Sequence, residues 1–206
     1  MKTCSLLQKL RQEYQPQLPE ILRSITHVIS RRHKEVAIPP QVKGLFPLTA
    51  KAAAIEFVQG GEIDRKPKRV GVVLSGGQAA GGHNVISGLF DALKKLHPDS
   101  VLIGFLNGPS GIVENKNIPI TAELIAEYRN QGGFDLIGSG RTKIETAEQF
   151  SAAENTARAL NLDGLVVIGG DDSNTNAALL AEYFFEKKCK TVVVGVPKTI
   201  DGDLKN

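Results

Sequence analysis

From residue 69 onward the chain alternates short apolar runs with longer helical stretches, and this alternation restricts the fold more than any other feature. The runs cover residues 70–74, 101–106, 164–168 and 191–196, each rich in Val, Ile or Leu. Helices are expected over 84–96, 121–131, 146–160 and 174–187, and 134–137 is a candidate for one more short strand. Runs that are apolar at successive positions are buried on both faces, which is the condition of a parallel sheet sandwiched between helices. The expected fold is therefore α/β, with a three-layer parallel sheet and helices on both faces. Thr146 followed by Gln149 fits a capping box for the third helix, and Asp163-Gly164 marks the turn into the third strand.

The remaining third of the chain has a different texture. Residues 1–69 hold 13 Lys/Arg against 6 Asp/Glu, whereas residues 70–206 hold 12 against 16. Leu6, Leu7, Leu10 and Tyr14 recur at helical spacing; Pro16 and Pro19 interrupt, and Ile21, Leu22, Ile25, Val28 and Ile29 resume it. Two short helices are expected there. Pro39, Pro40 and Pro47 then predict an extended connector, followed by a helix over 49–58 that Gly60-Gly61 ends. The expected organisation is a helical N-terminal extension and connector over 1–68 and an α/β lobe over 69–206.

Composition removes several functional classes. With 206 residues, 41% hydrophobic and 23% charged, the chain suits one domain or one and a half, and neither disorder nor a coiled coil fits. No run of 18 apolar residues occurs, and Lys2, Cys4, Gln8 and Lys9 interrupt the first apolar stretch, so no membrane span or secretion signal is expected and the location is cytoplasmic by default. Cys4 and Cys189 are too few for a disulfide framework and too far apart in sequence for a zinc motif. Arg31, Arg32 and Lys34 are not interleaved with aromatic residues, so a solvated helix end is expected rather than a nucleic-acid contact.

Three of the four strands run straight into loops of glycine or acid: Ser75-Gly76-Gly77-Gln78, Gly169-Gly170-Asp171-Asp172-Ser173, and Pro197-Lys198-Thr199-Ile200-Asp201-Gly202-Asp203. In a parallel sheet such loops share the carboxyl edge, where ligands bind, so one site is expected. In the first loop, Gly76, Gly77, Gly81 and Gly82 open a helix whose amides suit a phosphate, although a tight turn accounts for them equally well. The pattern is neither a Walker A loop nor a dinucleotide fingerprint. In the second, Asp172 or Ser173 caps the helix, but a cap needs one acid, and the additional Asp171 suits Mg²⁺ held together with substrate phosphates. In the third, Asp201 or Asp203 suits acceptance of a hydroxyl proton and Lys198 suits a transferring phosphoryl group, while surface-turn residues would look similar. Gly138-Ser139-Gly140-Arg141 adds an arginine fit for bidentate phosphate contact. His83, alone at a helix start, reads as structural. These residues point to Mg²⁺-dependent phosphoryl transfer and leave donor and acceptor open.

Together the second and third loops resemble the phosphofructokinase family, specifically its diphosphate-dependent branch, and SGGQAAGGHN at 75–84 and YRNQGGFDLIGSGR at 128–141 are similar to the same branch. The likeness covers about 69–206 with its motifs in order; the basic N-terminal segment resembles the extension of the long diphosphate-using enzymes more loosely. The resemblance implies reversible transfer of a phosphoryl group from diphosphate to the 1-hydroxyl of fructose 6-phosphate, a step of glycolysis, with Mg²⁺. It gives Asp201 the part of general base, Asp171 that of metal ligand, Gly76 and Arg141 contacts to diphosphate, and Thr199, Ile200 and Asp201 contacts to the sugar phosphate. ATP-using relatives generally carry glycine at position 172 and often at 198; Asp172 would exclude a nucleotide's α-phosphate and Lys198 would stabilise the departing phosphate. Two departures stand out. Ala80 replaces a usual proline, and the chain stops at Asn206, where the family continues into a second lobe with a Met-Gly-Arg segment. An N-terminal fragment that needs the second lobe for turnover is expected, from an intact enzyme that is a homo- or hetero-oligomer. The competing expectations are a non-catalytic truncated module that binds a full-length partner, and an ATP-dependent sugar, lipid or nicotinamide kinase, which Asp172 and the Thr-Ile-Asp-Gly-Asp segment oppose.

Overall fold

A computed structural model describes residues 5–33, 37–62 and 65–202. In chain order the elements are α1 (Leu6–Glu13), α2 (Glu20–Arg23), β1 (Val28–Arg32), α3 (Pro40–Leu45), β2 (Ile55–Gln59), β3 (Arg69–Ser75), α4 (Gly82–Leu96), β4 (Val101–Phe105), α5 (Pro109–Val113), β5 (Asn117–Pro119), α6 (Ala122–Tyr128), β6 (Ser139–Gly140), α7 (Ala147–Ala159), β7 (Gly164–Gly169), α8 (Asp171–Glu186) and β8 (Val192–Pro197). The larger sheet runs β5-β4-β3-β7-β8, with the two-residue β6 beside the end of β3. All its pairings are parallel except β4 with β5. The sheet is thus mixed rather than purely parallel. Three-residue β5 carries Pro119 at the sheet edge and is too short to show a strand pattern in the sequence.

β3 owes its central place to its composition. Val72, Val73 and Leu74 are all fully buried, and successive side chains enter opposite cores. On one face Val72, Leu74, Leu102 and Ile168 pack with Ile86 and Phe90 of α4 and Ile125 of α6. On the other, Val73, Phe105, Leu165 and Val167 pack with Ile112 of α5, Ala153 and Ala157 of α7, and Leu180 and Phe184 of α8. The expected three layers are present, and each large side chain removed from water contributes about 1.5–3 kcal/mol. The capping box is present too: Gln149 donates its N–H to Thr146 Oγ1 and its side-chain Oε1 accepts from the Thr146 N–H.

Several local expectations give way. Residues 134–137 bury Phe134 and Ile137 without strand pairing; Gly138, at φ 65°, turns the chain so that Ser139 and Gly140 take the place beside β3. The extension is not simply helical. The second expected helix stops after α2 and a 3-10 turn at Ile25–His27, and the expected helix over 49–58 is a 3-10 turn at Thr49–Lys51 followed by β2. β1 and β2 form an antiparallel pair in which Ile29 faces Val58 and Arg31 faces Glu56, with a 3.1 Å ion pair between the last two. β-branched and aromatic residues at 55–58 fit a paired strand better than an isolated helix, and cross-strand contacts decide the outcome. Arg31 and Arg32 therefore lie on a strand rather than at a helix end. The proline-marked connector is not extended throughout, because Pro40 begins α3. Cys4 and Lys34 lie outside the described residues. Cys189 is half-buried, its Sγ 3.6 Å from Thr191 Oγ1. No helix among the described residues is long and apolar enough to cross a membrane.

Candidate functional site at the carboxyl edge of the sheet

Strand register gathers the site. Ser75 at the end of β3 pairs with Gly169 of β7, and Gly169 pairs with Pro197 of β8, so three strand ends stand in one row and their loops leave side by side. The row is locked by short bonds. Ser173 Oγ donates to Ser75 Oγ at 2.9 Å, the Lys198 N–H donates to Gly169 O at 2.9 Å, and the Gly76 N–H donates to Gly140 O at 2.8 Å. Gly76 has φ 87°, a conformation that favours glycine. Gly169 is required for closeness: a Cβ there would overlap Ser173 Cβ and lie 2.6 Å from Ser173 Oγ and 2.8 Å from Ser75 O.

α8 begins at Asp171, three residues ahead of the sequence expectation, with Gly170 as its N-cap. Asp171 and Asp172 therefore occupy the first turn, both exposed to solvent, where the positive end of the helix dipole favours their charge. Neither carboxylate caps the helix. Asn174 instead holds the turn, donating to Gly169 O at 2.7 Å and Gly170 O at 2.8 Å. The arginine loop is fastened to the same helix by Asn176, whose side-chain amide accepts from the Ile144 N–H at 3.0 Å and donates to Ile144 O at 2.7 Å. Arg141 is thereby held over the glycine loop: a Cβ on Gly77 would lie 3.4 Å from its guanidinium.

Two adjoining cavities result. The first, about 350 Å³, is bordered by Gly76, Gly77, Arg141, Lys143, Asp171, Asp172 and Lys198. The second, about 610 Å³, is bordered by Gln78, Pro197, Thr199, Ile200 and Asp201. Gly77, Gly170, Asp171 and Lys198 line both. All the sequence-derived site residues within the described range are thus brought together, with Gly76, Arg141 and Asp172 on one side, Thr199, Ile200 and Asp201 on the other, and Asp171 and Lys198 between. The Asp201 N–H donates to Thr199 Oγ1 at 3.0 Å, shaping the turn that presents its exposed carboxylate. Asp203 lies outside the described residues. No group of three or more His, Cys, Asp and Glu is arranged to hold a metal by itself among the described residues. The hard oxygens of Asp171, at the border of both cavities, nevertheless suit Mg²⁺, which takes one or two carboxylates and completes its shell with phosphate and water.

One sequence expectation is corrected. Two of the amides at the start of α4 are already taken, because the Gly81 and His83 N–H groups donate to Gly132 O at 2.6 Å and Gly133 O at 2.9 Å. Of the four glycines of that loop, Gly76 and Gly77 border the first cavity and Gly81 and Gly82 do not. His83 serves this clamp: buried to 1% exposure, its Nε2 accepts from the Leu136 N–H at 3.0 Å and lies 3.1 Å from Asp135 Oδ1, while buried Nδ1 has no hydrogen-bond partner. Burial holds the imidazole below its ordinary pKa against the opposing pull of the Asp135 charge.

Sequence reasoning missed Lys143 and Asn176, and it read Ser173 as a cap rather than as the bond to Ser75. Lys143 sits two residues beyond Arg141 and places Nζ 3.5 Å from Asp172 Oδ2. Its position after Gly-Ser-Gly-Arg was the available signal; the partnership of Asn176 with a loop 32 residues away left none.

Residues 69–206 match the family model described as phosphofructokinase. Over 98% of its length the chain is 52% identical to pyrophosphate--fructose 6-phosphate 1-phosphotransferase of Porphyromonas gingivalis and 53% identical to the protein of that name from Treponema pallidum. It is 50% identical to subunit beta of the same enzyme from Solanum tuberosum, again over 98% of the chain. The chain spans 37%, 38% and 36% of those three relatives, little more than a third of their length. Among solved structures, the pyrophosphate-dependent phosphofructokinase of Nitrosospira multiformis superposes with TM-score 0.60 at 21% identity, covering 66% of this chain and 35% of that one. The one from Marinobacter aquaeolei gives 0.57 at 24% identity, with 65% and 34% covered. At such identities these structures speak for the fold.

Proposed function

The chain belongs to the phosphofructokinase family, and on that premise we propose that residues 69–206 form the donor-binding lobe of an enzyme that transfers a phosphoryl group reversibly between diphosphate and the 1-hydroxyl of fructose 6-phosphate, in the glycolytic sequence of the cytoplasm. Residues 1–68 are read as its extension. The observation that carries this is the pair of adjoining cavities that share Asp171 and Lys198. A two-substrate transfer needs donor and acceptor pockets meeting at the group that moves.

In this reading the first cavity takes diphosphate, with Gly76 against the phosphates and Arg141 binding them through its guanidinium fork. Asp171 is the residue that would hold Mg²⁺, which supplies charge neutralisation of the phosphates. Lys198, on the border, stabilises charge on the departing phosphate. Asp201 accepts the proton of the attacking hydroxyl, and Thr199 and Ile200 border the sugar phosphate. Asp172, in the first turn of α8 at the border of this cavity, would exclude a nucleotide's α-phosphate by charge and bulk, which favours diphosphate as the donor. The names of the relatives support that donor, and a 46% identical relative named as subunit alpha of the Solanum tuberosum enzyme supports an oligomeric assembly, of like or unlike subunits.

The relatives are nearly three times as long as this chain, so binding rather than turnover is the property to measure on it. Isothermal titration with Mg²⁺ is expected to show diphosphate bound and ATP rejected by the wild-type chain, with ATP admitted by Asp172→Gly. ATP binding as tightly as diphosphate to the wild-type chain would overturn the donor assignment.

A further inference from the structure

We propose that Lys143 is a specificity-determining residue of the donor cavity, neutralising Asp172 so that a carboxylate placed to exclude nucleotides does not also repel diphosphate. The inference rests on the reading of the first cavity as a diphosphate site. It answers a difficulty in that reading: diphosphate carries several negative charges at neutral pH, and a bare carboxylate at the cavity wall opposes it as well as ATP.

Three observations carry it. Lys143 Nζ lies 3.5 Å from Asp172 Oδ2, close enough for an ion pair. Lys143 also borders the same cavity as Arg141 and Lys198. Its backbone is anchored although its side chain is half exposed, because the next residue, Ile144, is 1% exposed and is held from both sides by Asn176 of α8. The loop and the helix that bear the pair are thus fixed to each other within one turn of Asp172. The charge count supports the same conclusion. Arg141 and Lys198 alone only balance Asp171 and Asp172, and Lys143 tips the cavity to net positive.

The pairing predicts a dependence that direct phosphate binding by Lys143 does not. If Lys143 acts by neutralising Asp172, removing it hurts only while Asp172 is there. The test is a double-mutant cycle on the 206-residue chain, titrating diphosphate with Mg²⁺ into wild type, Lys143→Ala, Asp172→Gly and the double variant. Lys143→Ala is expected to weaken diphosphate about five- to tenfold in the wild-type background and less than about twofold beside Asp172→Gly, and Lys143→Arg is expected to restore wild-type affinity within about twofold. Unchanged melting temperatures verify that each variant is folded. Equal losses in both backgrounds, or no loss in either, overturn the role of Lys143 and leave the donor reading standing. Absence of diphosphate binding by the folded wild-type chain overturns both.

Discussion

Gly169→Ala is the substitution that most directly tests how the strand ends are brought together. The added methyl would overlap Ser173 Cβ and stand 2.6 Å from Ser173 Oγ and 2.8 Å from Ser75 O, the last a backbone atom of the central strand. Neither neighbour can swing away, since Ser173 is in the first turn of α8 and bonds Ser75 Oγ at 2.9 Å. Overpacking of this kind costs about 1–3 kcal/mol, and the backbone obstacle places this site at the upper end. Replacing glycine also narrows the unfolded ensemble, which returns about 0.4–1 kcal/mol. The net loss is about 2 kcal/mol, and for a chain of this size each kcal/mol moves the melting temperature by about 2–4 °C, so a fall of about 4–8 °C is expected. Gly170→Ala is the control one residue away: its φ is −72°, allowed to any residue, and the nearest atom to a new Cβ is Lys198 O at 4.0 Å. There the loss of a favoured N-cap and the narrowing of the unfolded ensemble nearly cancel, leaving the melting temperature within about 2 °C. Circular dichroism melts of the two variants beside wild type decide the matter. A Gly169→Ala chain as stable as wild type, or one no worse than Gly170→Ala, would refute the crowding argument.

Two further perturbations probe the supports of the site. Glu182 of α8 accepts from the Leu48 N–H at 2.7 Å, the Thr49 N–H at 2.8 Å and Thr49 Oγ1 at 2.8 Å, and although burial alone would raise its pKa, these bonds and Lys51 hold it below the usual value; Glu182→Ala should speed hydrogen exchange at 48–51 by about tenfold or more with little change at β3 and β7, and equal acceleration throughout or no change would contradict it. His83 is held below its ordinary pKa, so the unfolded chain takes up a proton near pH 6.5 that the native chain refuses; stability is level above that pH and falls as the pH drops through it toward the folded value, a slope that His83→Gln should flatten in urea titrations between about pH 5 and 6.5. An identical slope in the variant would assign the effect elsewhere.

The lobe was legible because its information is local and redundant. β3 and β7 are apolar at successive positions and each runs into a glycine pair, Gly76-Gly77 after β3 and Gly169-Gly170 at the end of β7, so both their burial and the place of their loops follow from a few residues each. The capping box at Thr146 lies within four residues of chain. What escaped depended on partners distant in sequence. β1 and β2 contain helix-compatible apolar spacing, and only the pairing of residues 28–32 with 55–59 reveals them as strands. The start of α8 at Asp171 followed from Gly170 serving as N-cap, which frees both acids from the capping duty one of them had been assigned. The α4 amides taken up by Gly132 and Gly133 could not be foreseen from the glycine loop itself. Within the site, the charge of Asp172 was read from the sequence but its neighbour Lys143 was not, since 29 residues of chain separate them.

The position of β3 between β4 and β7 also sets a timetable. Its neighbour on one side follows about 30 residues later, whereas the bonds that fix it on the other side join Arg69 to Asp163, 94 residues apart. During synthesis at about 5–20 residues per second, β3 waits about 5–20 s for β7 to be made. Until then the glycine loop at its end has neither Gly169 nor Ser173 to lean on, and β3 is left as the unpaired edge of β5-β4-β3. A nascent chain therefore completes the row of loops at its carboxyl edge late, once β7 and the start of α8 have been made. Slow codons or pauses placed before residue 164 would prolong exposure of Val72, Val73 and Leu74 to the quality-control machinery of the cell.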